Sequence, residues 1–269
     1  MTKPYAIRIT SSKGGVGKSV ISTNLAAALE SLGYKVLLVD SDTVNPCIGL
    51  YMGIPSVSVG IMDVVAGRAD VNRVIVPNIA TGVRVLPGVI AMRSKAKEVV
   101  PTLKQSQNFT SKLKRLPFDF IVVDTQPGVA HPLGLSLFDE AMLVAKPTEA
   151  SCISAVKMLA ECGKAKVKCS LVVNEVRGVK YELNVREIEE MCETKVSSTL
   201  PYDDEVTIGV MQHVPVYVED RKAPFSKAIL NLARMYATRI DTVRDNSGGG
   251  RKSILNRILS IFHIRISRD

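Results

Sequence analysis

The stretch SSKGGVGKSV, Ser11 to Val20, follows the β-branched run YAIRIT (Tyr5 to Thr10) and precedes a long helical pattern. It fits the second half of the pattern G-x-x-x-x-G-K-[ST], with Ser12 in place of the first glycine. Glycines at 14, 15 and 17 let backbone N–H groups close around phosphate oxygens, and the helix that follows adds its positive end. Lys18 is then placed to reach β- and γ-phosphates, and the Ser19 hydroxyl to bind Mg²⁺. The competing reading is a glycine turn with an incidental lysine, and the strand–loop–helix context argues against it. A second lysine, Lys13, stands five residues before Lys18, where a generic phosphate loop requires nothing.

Outward from the loop, short β-branched runs alternate with helical patterns, as in βαβ units of a parallel sheet. Strands are expected at YAIRIT, KVLLVD, VRVLPG, DFIVVD, EAMLVAKP and CSLVVNEV. KSVISTNLAAALESLG carries apolar residues at helical spacing and stops at Gly33. Further helices are expected at SVGIMDVVAG, QNFTSKLKRL, SCISAVKMLAECGK, VREIEEMCET and PFSKAILNLARMYATRI. The expected fold is α/β, a doubly wound, mostly parallel sheet with helices on both faces and a ligand at the strand carboxyl ends. Residues 1–244 read as one domain, DNSGGG (245–250) as a flexible linker, and 251–269 as a short tail.

The 269 residues, 46% hydrophobic and 23% charged, suffice for one large α/β core. The start, Met1 to Tyr5, is polar and no apolar run reaches membrane-spanning length, which points to a cytoplasmic chain. The cysteines, Cys47, Cys152, Cys162, Cys169 and Cys192, contain no CxxC pair, which argues against a zinc knuckle or a redox dithiol motif. The net charge of +9 calls for an anionic partner, either nucleic acid or a membrane surface.

KGGVGKS with its leading lysine resembles the deviant Walker A motif of the MinD/ParA group of P-loop ATPases, related also to the nitrogenase iron protein and the tail-anchored-protein targeting ATPase. The resemblance runs from about Ala6 to about Thr238. It implies ATP and Mg²⁺ as ligands, with Ser12, Lys13, Gly14, Gly15, Val16, Gly17, Lys18, Ser19 and Val20 around the phosphates. It also implies that Lys13 crosses the interface of an ATP-dependent homodimer to the partner's phosphates, which makes Lys13, Lys18 and Asp42 the catalytic candidates. Asp40 and Asp42, in VDSD at the end of a strand, match switch I of the family. There Asp42 orients the attacking water and Asp40 supports the metal or the switch. Taken alone, either aspartate could simply cap the next turn. Asp124, closing FDFIVVD, matches Walker B and joins Ser19 and Asp42 as a candidate metal residue. The turn TQPG departs from the family in Gln126, which receives no role, while Gly128 keeps the hinge. Asn174 matches the asparagine that recognises adenine, and Pro201 and Asp203 match a loop covering the base. Asparagine and proline after strands are also ordinary turn residues.

The tail RKSILNRILSIFHIRISRD places its apolar residues, Ile254 to Ile266, in an arc of roughly 160° on a helical wheel, with Arg265 intruding and Ile264 outside it. It resembles the membrane-targeting helix of MinD proteins and implies reversible attachment to an anionic membrane at the inner face of the cell membrane. A helix docked on the body, or an edge strand at FHIRIS, are the alternatives. Five basic residues and one acid there account for +4 of the +9, leaving a body of about +5 without a lysine–arginine run. The functional expectation is therefore a MinD-type positioning ATPase with an unidentified protein activator or cargo. The alternative is a ParA-type ATPase that binds DNA through its body. An iron–sulfur reductase is excluded, because no cysteine follows Asp124 until Cys152.

Overall fold

A computed structural model describes residues 3–89, 102–128, 133–135 and 138–246 of the chain. In chain order the strands are β1 (Tyr5–Thr10), β2 (Val36–Asp40), β3 (Val76–Pro77), β4 (Arg84–Leu86), β5 (Phe120–Asp124), β6 (Glu140–Ala145), β7 (Lys168–Val176) and β8 (Val196–Pro201). The helices are α1 (Lys18–Ser31), α2 (Ile48–Tyr51), α3 (Ile61–Val65), α4 (Val71–Val74), α5 (Leu103–Leu113), α6 (Glu149–Lys164), α7 (Val185–Cys192), α8 (Asp204–Gln212), α9 (Val216–Glu219) and α10 (Pro224–Asn246).

A parallel strand covered on both faces must be apolar at successive positions. VLLVD in β2 and FIVVD in β5 meet this demand and are buried throughout. The strand order is β3-β4-β2-β5-β1-β6-β7-β8, parallel except for the edge pair β3–β4. Alternation divides the core between the faces. Ile7, Ile9, Leu38 and Val122 pack on α1 and α10. Leu37, Val39, Ile121 and Val123 pack on α3, α4 and α5. Ala141, Leu143, Leu171 and Val173 pack on α6 and α7. Helix α1 is wedged between sheet and α10, and Asn24 within it accepts the Tyr217 N–H at 2.9 Å. Helix α10 buries Ile229, Leu232, Ala233, Tyr236, Ala237 and Ile240, one stripe at helical spacing.

All six expected strands form, and the doubly wound architecture is confirmed. Three differences have local causes. Helix α5 begins at Leu103 rather than Gln107, because Thr102 and Gln105 form a capping box ahead of the periodic run. Strand β8, VSSTLP, was not anticipated: as an edge strand only its Leu200 is deeply buried, so no continuous apolar run marks it. Helix α10 continues to Asn246, so Asp245 and Asn246 close the helix rather than open a linker. No glycine or proline lies between Pro224 and Gly248 to stop it. The rest of the expected linker and the whole tail, 251–269, lie outside the described residues. Among the described residues no helix is long and apolar enough to cross a membrane.

Candidate nucleotide site

Strand register decides which side chains meet. Ile9 of β1 and Asp40 of β2 are both paired with Asp124 of β5, so the loops after these three strands emerge at one level of the carboxyl edge. The chain winds away from this centre in both directions, leaving the crevice where such sheets bind ligands. Here the phosphate loop turns through left-handed glycines, Gly15 at φ 70° and Gly17 at φ 93°. A side chain at Gly17 would also collide with the Nδ2 of Asn174. Gly17 is the N-cap of α1 and supplies no capping side chain, and the first turn holds no acidic residue. The positive end of α1 is thus left to an anion.

Lys18 is 7% exposed, and its amine is pushed below the usual lysine range by burial, opposed by the charges of Asp124 and Asp42. Ser19 Oγ donates to Asp124 Oδ2 at 2.6 Å, and Ser22 Oγ to Oδ1 at 2.9 Å. Asp124 is 1% exposed, and burial pushes its carboxyl up to about 6 against the pull of these hydroxyls and Lys18. Asp40 beside it is raised well above the carboxylate range, by burial first and then by the charge of Asp124. Its oxygens accept the Ile48 N–H at 3.0 Å and the Asp42 N–H at 3.3 Å. Two buried carboxylates that repel each other next to a serine hydroxyl form a donor set suited to a hard divalent cation.

Lys13 is exposed on the loop, its carbonyl held by Ser11 Oγ at 2.6 Å. Ser12 turns toward the body, donating to the carbonyl of Ser154 on α6. Asp42 Oδ1 accepts the N–H groups of Val44 and Asn45 at 2.9 and 2.8 Å, so this carboxylate caps its own turn. Gln126, given no role by the sequence, accepts Thr43 Oγ1 at 3.2 Å and so links the loops after β2 and β5. Gly128 adopts φ 111° while its N–H donates to Ser11 O at 2.8 Å, tying the second loop to the first.

Beside the phosphate loop lies a cavity of about 150 Å³ whose lining includes Gly17, Val20, Asn174, Pro201, Asp203 and Phe225. The three residues expected at a base therefore converge. Asn174 Nδ2 donates to Val16 O at 2.9 Å, fixing the amide against the loop. The Asp203 carboxylate is occupied by structure: it caps α8 through the Glu205 N–H at 3.2 Å and holds the Phe225 N–H at 3.1 Å. At the rim Arg177 stacks on the Tyr202 ring, 3.5 Å from its centroid. Sequence reading missed Ser22, Cys47, Tyr202 and Phe225. Ser22, one turn after Ser19, had a helical-spacing signal. Cys47, whose thiol is pushed up to about 12 by burial beside Ser19 and Asp124, had none.

Fold and loop together define a P-loop nucleotide-binding protein. A family model described as an AAA domain matches residues 5–165. An uncharacterized ATP-binding protein of Methanocaldococcus jannaschii is 30% identical over 234 residues, covering 86% of this chain and 87% of its own. The septum site-determining protein MinD of Bacillus subtilis is 30% identical over 238 residues, covering 85% and 87%. The crystal structure of the cell division ATPase MinD of Pyrococcus furiosus matches with a TM-score of 0.79 at 27% identity, covering 86% of this chain and 98% of that one. The chain belongs to the MinD/ParA family of P-loop ATPases.

Proposed function

We propose that the chain is a MinD-type ATPase: it binds ATP with Mg²⁺, closes into a homodimer, attaches to an anionic membrane through 251–269, hydrolyses ATP to ADP and phosphate, and positions a division or other cell-surface apparatus. The observation that carries this reading is the division of labour in one loop, with Lys18 buried against Asp124 and Lys13 exposed five residues earlier. A lysine that faces outward can contribute charge to phosphates held by a second copy, so that nucleotide stabilises the pair. Ser19 and Asp124 would hold the magnesium, with Asp42 as a third candidate once released from its turn. The metal supplies charge neutralisation at the phosphates. Asp42 is also the residue to orient water, and Asn174, Pro201 and Asp203 border the base. A single short tail binds membrane weakly, and two tails on one dimer bind far better through effective concentration. This makes membrane residence follow nucleotide state, with a protein activator or cargo still to be identified and a cytoplasmic pool exchanging with the inner membrane face.

The test is co-sedimentation with anionic vesicles in ATP and in ADP, for the full chain and for a version ending at Gly250. Pelleting that requires both ATP and the tail supports the reading. Absence of pelleting, with duplex DNA shifted by the ATP form, replaces it with the ParA-type alternative.

A further inference from the structure

At the amino edge of the sheet, the end opposite the phosphate loop, lies a cavity of about 500 Å³, within the range that small organic ligands occupy. Chain geometry puts it there: α1 carries the chain about 18 Å from Lys18 to Glu30, at about 1.5 Å per residue, before β2 begins. Glu30 from the end of α1, Lys35 from just before β2 and Arg84 from the start of β4 all line the cavity. Strands β2 and β4 are parallel with Leu37 paired to Arg84, and Lys35 precedes Leu37 by two residues, so both cations belong to one face of neighbouring strands. The rest of the wall includes Ile75 of α4 and Phe118, which leads into β5, and both are half-buried.

Among the described residues the Lys35 ammonium and the Arg84 guanidinium close no ion pair, whereas other exposed cations do: Arg68 with Asp63 at 2.9 Å, and Lys164 with Glu161 and Lys195 with Glu189, both at 2.7 Å. The acids beside them are held by the backbone instead. Asp119 Oδ2 accepts the Lys35 N–H at 2.9 Å, and Glu30 Oε2 accepts the Val36 N–H at 3.2 Å. The Lys35 carbonyl in turn accepts the Asp119 N–H at 2.8 Å, which fixes the backbone that carries the ammonium. Burial raises the Glu30 carboxyl above the usual carboxylate range, so it opposes the two cations less than an exposed acid would. Gly82 keeps the wall open: it takes φ 77°, and a Cβ there would press on Glu30 Cγ and Oε1 at 3.2 Å. A planar guanidinium fork and a point charge converging in a concave, partly apolar site are the donor set for an anionic group on an apolar body.

We infer that this cavity binds a small organic phosphate, with Arg84 and Lys35 on the phosphate oxygens and the apolar body of the ligand against Ile75 and Phe118. A phosphate monoester carries about two negative charges at neutral pH, one for each cation. A carboxylate carries one and would leave a cation without a counter-charge. Asn72 of α4 lines the same cavity and adds an amide that both donates and accepts, for polar groups on the ligand body. The site is separate from the nucleotide site: the two cavities share no lining residue, and they lie at opposite ends of α1 and β2.

The chain contains no tryptophan, so Phe118→Trp places a single fluorescent reporter in the cavity wall. Phenyl phosphate is titrated against this variant of the full chain with saturating Mg-ADP present, so that the phosphate loop is already filled. The expected result is a saturable fluorescence change with a Kd of about 1 mM or below. Lys35→Ala and Arg84→Ala, each in the same background, should weaken binding by about tenfold or more and leave ADP affinity unchanged. Phenol lacks the charge, benzoate carries a single one and inorganic phosphate lacks the apolar body, and each should bind weaker than phenyl phosphate by about tenfold or more. In amide proton–nitrogen correlation spectra of the unsubstituted chain, again with Mg-ADP, phenyl phosphate should shift the Lys35, Gly82 and Arg84 signals. Unmoved signals at these three residues, shifts confined to the phosphate loop, equal binding of phenol or benzoate, or an affinity indifferent to both alanine substitutions overturns the inference. The spectra of the unsubstituted chain decide the matter where Phe118→Trp itself alters the wall.

Discussion

Asp124 shows at the scale of one residue what the site gives up for its function. Burial raises its carboxyl to about 6 from an ordinary 3.8, so the native state binds this proton more tightly than the unfolded chain does. Its contribution to stability is fully present below about pH 4 and is lost as pH rises through about 6. Two pK units correspond to about 3 kcal/mol. Asp124→Asn should therefore make the nucleotide-free protein more stable at pH 7.5, by about 1–3 kcal/mol once the weakened hydrogen bonds from Ser19 and Ser22 are discounted, with the advantage gone by pH 4. Urea titrations of both proteins at the two pH values check this, and an Asn variant less stable at pH 7.5 would contradict it. The same substitution should abolish the dependence of nucleotide affinity on Mg²⁺, read by calorimetry. These anchor residues were legible in the sequence because phosphate and metal chemistry demands particular residue types at short, fixed spacing. Ser22 was legible by its place one turn after Ser19, but Cys47 and Phe225 were not: they reach the site through packing, and Phe225 lies 50 positions beyond Glu175, its neighbour in the cavity wall.

At the scale of elements, helix α10 is tied to the sheet by a buried carboxylate in addition to its apolar stripe. Glu140 of β6 is fully buried and accepts Tyr5 Oη of β1 at 2.8 Å and Tyr236 Oη of α10 at 3.1 Å. It also pairs with Arg239 of α10 and, at 3.5 Å, with Lys168 of β7. Four elements thus share one charge, and removing it strands a partly buried guanidinium. Glu140→Ala should cost about 3–5 kcal/mol in a urea titration. Asn184→Ala, which removes the capping box of α7 formed with Glu187, should cost only about 1 kcal/mol. A Glu140 variant as mild as the Asn184 one would remove Glu140 from the anchoring role. The same contrast explains what the sequence conveyed about the fold. The central strands and the long helices α1, α6 and α10 declared themselves through apolar runs and 3.6-residue spacing. Strand β8 and the four-residue helices α2, α4 and α9 did not, since edge positions and single turns leave no periodicity to read.

At the scale of the whole molecule, two basic devices far apart in the chain must act in sequence if nucleotide is to control attachment. Lys13 sits at the carboxyl edge of the sheet, and the tail begins beyond α10. Lys13 lines neither the cavity that borders Asn174 and Phe225 nor the Ser19–Asp124 contact. Lys13→Ala should bind ATP within a few-fold of the unaltered chain as a monomer, because Lys18 and the α1 N-terminus remain, yet show no ATP-dependent dimer by light scattering. A chain ending at Gly250 should dimerise normally in ATP and fail to pellet with anionic vesicles. The double change should resemble the sum of the two. Vesicle binding by the full dimer should weaken as ionic strength rises, since two tails of charge +4 supply much of the attraction. If Lys13→Ala still dimerises in ATP but hydrolyses it slowly, Lys13 serves the chemistry alone and the coupling to membrane lies elsewhere. If it loses ATP affinity as a monomer, the lysine acts within its own subunit, and the trans role proposed for it falls.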